Sequence, residues 1–146
     1  AAGRSGPAPW RFVALLLDPP RAALREAIAA RFDAMLAAGA VEEVRALLAL
    51  GLDPALPAMR AHGVPPIAAH LAGLLTLAEA RARTVLETGQ YTKRQATWFR
   101  HHALAAPALT HSIRARIGDE AQFSSPCGVR TFEFVRRAID AVQRGD

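Results

Sequence analysis

The spacing of apolar positions changes several times along this chain, and each change marks an element. After a small, Gly- and Pro-punctuated leading segment, Ala1 to Pro9, the run from Trp10 to Leu17 is apolar on both faces apart from Arg11. That is the pattern of a strand buried on both faces of a parallel sheet, not of one alternating at an exposed edge. No second strand pattern follows through the helical stretches behind it. Either the sheet it joins lies outside these 146 residues or the segment is no strand. Within the chain, at most one strand partner and some uncovered apolar surface are expected.

Asp18-Pro19-Pro20 offers an N-cap with proline in the first turn, and the helix behind it carries Leu24, Ile28, Phe32 and Met35 at helical spacing up to Gly39. A second helix, Val41 to Leu50, would bury Val44, Leu47 and Leu48 and stop at Gly51, with Glu42 and Glu43 near its positive end. From Leu52 to Pro66 the prolines at 54, 57, 65 and 66, together with Gly63, interrupt the pattern, which places Met59 to Val64 at a bend. A short helix from Pro65 to Leu71 should end at Gly73. Thr76-Leu77-Ala78-Glu79 fits an S/T-x-x-E capping box and predicts a helix from Leu77, unbroken except by Gly89 until Ala106-Pro107 and running for about 25 residues. Beyond Pro107 the signal weakens, although Arg130 to Gln143 reads as a helix with Val135, Ala138, Ile139 and Val142 on its buried face. The fold class is mainly α, with one N-terminal strand that would join a parallel sheet. Residues 1–103 form one organised part and 104–146 an unassigned tail ending in a helix.

Composition narrows the class. With 51% hydrophobic and 21% charged residues the chain is globular rather than disordered. Its longest uninterrupted apolar run, Phe12 to Leu17, has six residues, far short of the roughly 18 a membrane-spanning helix needs, so no membrane partner is expected. Ala1 to Arg11 lacks the pattern of a secretory leader. The single cysteine, Cys127, precludes an internal disulfide or a multi-cysteine metal site, and a cytoplasmic setting is the expectation. Arginine outnumbers lysine 17 to one and asparagine is absent, a bias that a GC-rich coding sequence explains without function. It still excludes a phosphate-binding P-loop, because Lys93 is followed by Arg94 and preceded by no G-x-x-x-x-G pattern. Nucleophile-elbow, zinc-helix and EF-hand patterns are missing as well.

The net charge of +5 is unevenly placed. Between Arg81 and Arg116, seven basic residues (Arg81, Arg83, Lys93, Arg94, Arg100, Arg114, Arg116) stand against one acid, Glu87, and His101, His102 and His111 fall in the same stretch. Positive charge interleaved with Tyr91, Trp98 and Phe99 suits a surface that meets phosphates and stacks on bases, and equally suits a solvated helix face in an arginine-rich protein. On the long helix Gln90, Lys93, Thr97 and Arg100 share one face, while Tyr91, Gln95, Trp98 and His102 share the next.

Three clusters carry candidate chemistry. Arg31 lies on an otherwise apolar helix within Arg31-Phe32-x-x-Met35-Leu36-x-x-Gly39, either snorkelling along the surface or serving as a planar clamp for phosphate. The Met59 to Val64 bend presents Arg60 and His62. In Lys93-Arg94-Gln95-Ala96-Thr97-Trp98-Phe99-Arg100, cations at both ends suit backbone phosphates, Gln95 suits a base edge and Trp98 suits stacking.

In this order the clusters resemble the C-terminal half of the bacterial tRNA dimethylallyltransferase (tRNA isopentenyltransferase) family. Arg31 to Gly39 with Glu42-Glu43-Val44-Arg45-Ala46-Leu47 is similar to that family's R-F-x-x-M-L-x-x-G…E-E-V-x-x-L stretch. Arg60-Ala61-His62-Gly63 stands where the family has an Arg/Lys-x-x-Gly turn, and Gln90 to Arg100 is similar to its Q-Y-x-K-R-Q-x-T-W-F-R signature. The likeness spans about Phe12 to His102. One departure is plain: the family's turn continues Gly-Tyr-Arg/Lys-Glu, whereas this chain reads Gly63-Val64-Pro65-Pro66.

The resemblance implies a P-loop-type α/β transferase that moves a dimethylallyl group from dimethylallyl diphosphate to N6 of the adenosine 3′ of the tRNA anticodon, with Mg2+ on the diphosphate. The flipped base and the prenyl donor would meet in one channel. It further implies that Arg31 helps bind the diphosphate. Arg60, Ala61, His62, Gly63, Val64 and Pro65, and Gln90, Lys93, Arg94, Gln95, Ala96, Thr97, Trp98, Phe99 and Arg100, would touch the anticodon stem-loop. The family's P-loop and catalytic aspartate belong to an N-terminal half not found in this sequence, so no catalytic residue, no metal ligand and no activity are expected of the 146 residues alone. The competing reading is a non-catalytic helical RNA-binding module.

Overall fold

The computed structural model describes residues 12–116 and 125–144. Helices dominate, and the chain divides into two compact units: residues 21–97 form one, and residues 1–20 with 98–146 form the other.

The first unit begins with α1 (Arg21–Ala37), followed after a glycine by α2 (Ala40–Ala49). A 3-10 turn over Pro57–Arg60 leads into α3 (Val64–Leu71), and α4 (Leu77–His101) closes the unit and continues beyond it. The core joins Phe32 of α1, Ala40 and Val44 of α2 and Ile67 of α3, with Leu36, Val64, Leu71 and Val85 packed against them. Helical spacing in the sequence located this face correctly at Phe32 and Val44. It overreached at Met35 and Leu48, which are about 40% exposed, because each lies one position to the side of the residue that turns inward, Leu36 and Leu47 respectively.

Two start signals have different outcomes. Thr76 and Glu79 form the expected box: the Glu79 carboxylate accepts from the Thr76 amide at 2.7 Å and from its hydroxyl at 2.7 Å, and the Glu79 amide donates to Thr76 Oγ1 at 3.2 Å. These amide and hydroxyl bonds hold the Glu79 carboxyl below its ordinary pKa. Asp18, in contrast, caps nothing, since α1 starts at Arg21, past both prolines. The Asp18 amide instead donates to the Ile113 carbonyl at 2.9 Å and prolongs a strand pairing.

That pairing belongs to the second unit. Strand β1 (Ala14–Leu17) runs parallel to β2 (Thr110–Ile113), with Ala14 opposite Thr110 and Leu17 opposite Ile113. The strand is shorter than the sequence suggested: Phe12 and Val13 lie outside it, and Trp10 and Arg11 are outside the described residues. Its partner sits in the stretch where no strand pattern was legible, because Thr110-His111-Ser112-Ile113 holds one large apolar residue in four. Among the described residues β1 pairs with β2 alone, within the at most one partner expected, and Phe12, Leu15 and Leu17 stay about half exposed. Helix α5 (Pro126–Arg144) lies against β2, with the His111 and Phe134 rings stacked at 5.1 Å. It starts four residues earlier than its apolar pattern and buries Ala138, but Ile139 is 51% exposed. The side chain of Val142 lies outside the described ones. The long helix runs the 25 residues expected of it, Leu77–His101, and ends short of the Ala106-Pro107 step.

Candidate nucleic-acid interface

Gly63 draws the first unit's candidate clusters together. It is buried, adopts φ +99° ahead of α3, and a Cβ built on it would lie 3.1 Å from Phe32 Cε2 and 3.6 Å from Thr84 Cγ2. The turn therefore sits directly on the residue that follows Arg31 and on α4, in a left-handed backbone conformation that favours glycine. Val64-Pro65-Pro66 then enters α3 with both prolines in the first turn, where an amide proton has no intrahelical partner to lose. Pro66 is fully buried.

With Gly63 anchored, Arg60, Ala61 and His62 stay exposed. The His62 ring meets the Tyr91 ring of α4 at 5.1 Å, tilted by 56°, and the Arg94 guanidinium stands over the same ring, 5.7 Å from its centroid. The second and third clusters are thus joined through Tyr91. Arg31 is exposed on α1, next in sequence to the buried Phe32.

Electrostatics separates the two ends of α4. Arg81 donates from Nε and Nη2 to both carboxylate oxygens of Asp33 on α1, the latter at 2.6 Å, and Arg83 pairs with Glu87 one turn away. The Arg81 hydrogen bond holds the Asp33 carboxyl below its ordinary value, and the bond to Asp33 raises the Arg81 guanidinium. Among the described residues Lys93, Arg94 and Arg100 enter no ion pair, nor do Arg31 and Arg60. Charge in the first half of α4 is spent inside the fold, and charge in the second half is presented to solvent.

The rest of the signature is exposed with it. Gln90, Gln95 and Thr97 face solvent and Ala96 is half-buried. The Thr97 hydroxyl donates to the Lys93 carbonyl at 3.0 Å. Trp98 is 48% and Phe99 37% exposed. Their rings meet edge to face at 5.1 Å, and the His102 ring lies flat on Trp98 at 4.5 Å and 8°. The i, i+4 spacing of Trp98 and His102 was the sequence signal for this stack, whereas nothing in the spacing of Asp33 and Arg81 announced their pairing.

This exposed basic stripe, the turn and α1 all fall within residues 2–102, the stretch matched by the model of the IPP transferase family. The chain belongs to that family. Among relatives of this IPP transferase family member, a tRNA dimethylallyltransferase from Acidiphilium cryptum is 62% identical over 85% of this chain and 38% of its own length. Another, from Gluconacetobacter diazotrophicus, is 64% identical over 92% of this chain and 40% of its own. That alignment, 134 residues long, cannot fit within residues 1–102, so the likeness continues into the tail. A full-length tRNA isopentenylpyrophosphate transferase from Bacillus halodurans shares the fold, with TM-score 0.67 and 23% identity over 89% of this chain and 41% of its own. The IPP transferase chain described here spans about 40% of the length of the relatives it matches.

Among the described residues no three His, Cys, Asp or Glu side chains converge. No helix among them is long and apolar enough to cross a membrane.

Proposed function

We propose that this chain supplies the tRNA-facing, C-terminal part of an enzyme that transfers a dimethylallyl group from dimethylallyl diphosphate to N6 of the adenosine 3′ of the tRNA anticodon, in the cytoplasm. The observation that carries the reading is the charge of Lys93, Arg94 and Arg100 on exposed α4, which enters no ion pair among the described residues, beside exposed Trp98 and Tyr91. Cations that enter no ion pair are free to exchange counterions for phosphates, and aromatic faces beside them suit unstacked bases. The turn at Arg60 to Pro65, tied to α4 through His62 and Tyr91, extends the same surface.

In the reaction the exocyclic nitrogen bonds to the allylic carbon as the carbon–oxygen bond to diphosphate breaks, and the nitrogen gives up a proton. The departing diphosphate needs its charge neutralised. Arg31, exposed and free of any acid among the described residues, is assigned to that anion, on which magnesium would also sit. The catalytic groups belong to the part of the relatives' length that this chain does not match.

The test is the salt dependence of binding between the 146-residue chain and an anticodon stem-loop RNA. Removing the charges of Lys93, Arg94 and Arg100 together should weaken binding and lower the log–log salt slope by about one for each phosphate no longer neutralised. An unchanged slope would return α4 to an ordinary solvated face.

A further inference from the structure

We infer that Trp98 and His102 form a two-ring platform to which one unpaired base of the RNA adds as a third layer, making His102, just past the Lys93 to Arg100 signature, a base-binding residue. The inference rests on the reading of α4 as an RNA-facing helix.

Three observations carry it. The rings already lie near-parallel, 4.5 Å between centroids and 8° apart, so a flat face is presented rather than a ring edge. The stack is fixed: the His102 Nδ1–H donates to the Trp98 carbonyl at 2.8 Å, the same carbonyl that accepts the His102 amide at 3.0 Å, and Phe99 braces Trp98 edge-on. With Nδ1 occupied, the ring cannot turn away from Trp98 without losing that bond. Both rings are also open, Trp98 being 48% exposed and His102 exposed, so a parallel aromatic surface large enough for a base faces solvent with little rotamer freedom left to lose.

The surroundings favour a nucleobase over an apolar peptide. From Thr88 to Gly118 the sequence contains no acid, while Arg100 and His101 flank the stack along the helix. A base brings its phosphate into that positive field. Because every base has a π-face, the platform gains affinity without reading sequence.

The experiment uses the 146-residue chain and anticodon stem-loop RNAs, intact or with a single abasic loop position. Trp98→Ala and His102→Ala should each weaken binding of the intact RNA by about five- to a hundredfold, the scale of losing one base stack. Both should leave the salt slope unchanged, because neither removes a cation that neutralises a phosphate. His102→Phe, which keeps a ring but not the imidazole, should recover most of the affinity. One abasic position should cost the wild-type chain a similar factor and cost His102→Ala nothing further, a coupling that mere loss of helix stability would not produce. If the charge variants weaken binding and the ring variants do not, or if no abasic position couples to His102, the platform is wrong and the RNA-facing helix stands. If neither set weakens binding, both readings fall.

Discussion

Gly63 shows how one residue position carries both fold and site. Its φ of +99° is strained for any side chain, and a Cβ 3.1 Å from Phe32 would require the ring to give by a few tenths of an ångström. Gly63→Ala should cost roughly 1–3 kcal/mol, the sum of a left-handed backbone and a displaced core ring. Chemical denaturation should show a lower midpoint at unchanged slope; a midpoint matching the wild type would mean that the turn does not rest on Phe32. In the sequence Gly63 was legible as punctuation in a proline-broken stretch. Its burial beside the residue after Arg31 was not, because the approach of two residues so far apart in the chain leaves no periodic trace. Arg31 is the converse case: its sequence surroundings suit either a surface residue or a clamp, and exposure without an acidic partner keeps its charge available, which both a clamp and a solvated residue permit.

Among the elements, α4 was the most legible, since its start is written in a capping box and its interior has one glycine and no proline. Elements whose stability comes from tertiary packing were harder to see. β2 is four residues long and mostly polar, and it is a strand because β1 lies alongside and the His111 ring rests on Phe134. The link between α1 and α4 is likewise tertiary: a two-pronged Arg81–Asp33 bond with both side chains 40–48% exposed. Its pH dependence has a definite sign. The Asp33 carboxyl is held below its ordinary value of 3.8, so the pair contributes fully at neutral pH and fades as the pH falls through the lowered value of the folded state. Asp33→Asn should therefore melt below the wild type at neutral pH, by a small margin given the exposure, and the gap should close as the pH drops below about 4. A gap constant down to the lowest pH tested would show that the carboxylate charge is not what joins the helices.

For the whole molecule, the motifs announced more than the elements did. The Arg31, Arg60 and Gln90 clusters are separated by long stretches of chain, and their order alone points to the family. What their spacing did not contain is the division of labour within the basic stretch: Arg81 and Arg83 are neutralised by Asp33 and Glu87, leaving Lys93, Arg94 and Arg100 to the surface. That division sets an expectation for catalysis. A diphosphate leaving group needs several positive or donor groups acting together, and α1 offers Arg31 on a helix fixed to α4 by the neighbouring Asp33. The 146 residues alone should transfer no prenyl group to a stem-loop RNA. Joined to the part of the Acidiphilium cryptum relative that this chain does not match, they should become active, and Arg31→Ala in that chimera should lower turnover by roughly 10²-fold, the scale of removing one preorganised charge. RNA affinity should stay unchanged, because Arg31 is assigned to the diphosphate and not to the nucleic acid. A chimera equally active with alanine at 31 would remove the diphosphate assignment; a fall in RNA affinity with turnover intact at saturation would move Arg31 to the RNA surface.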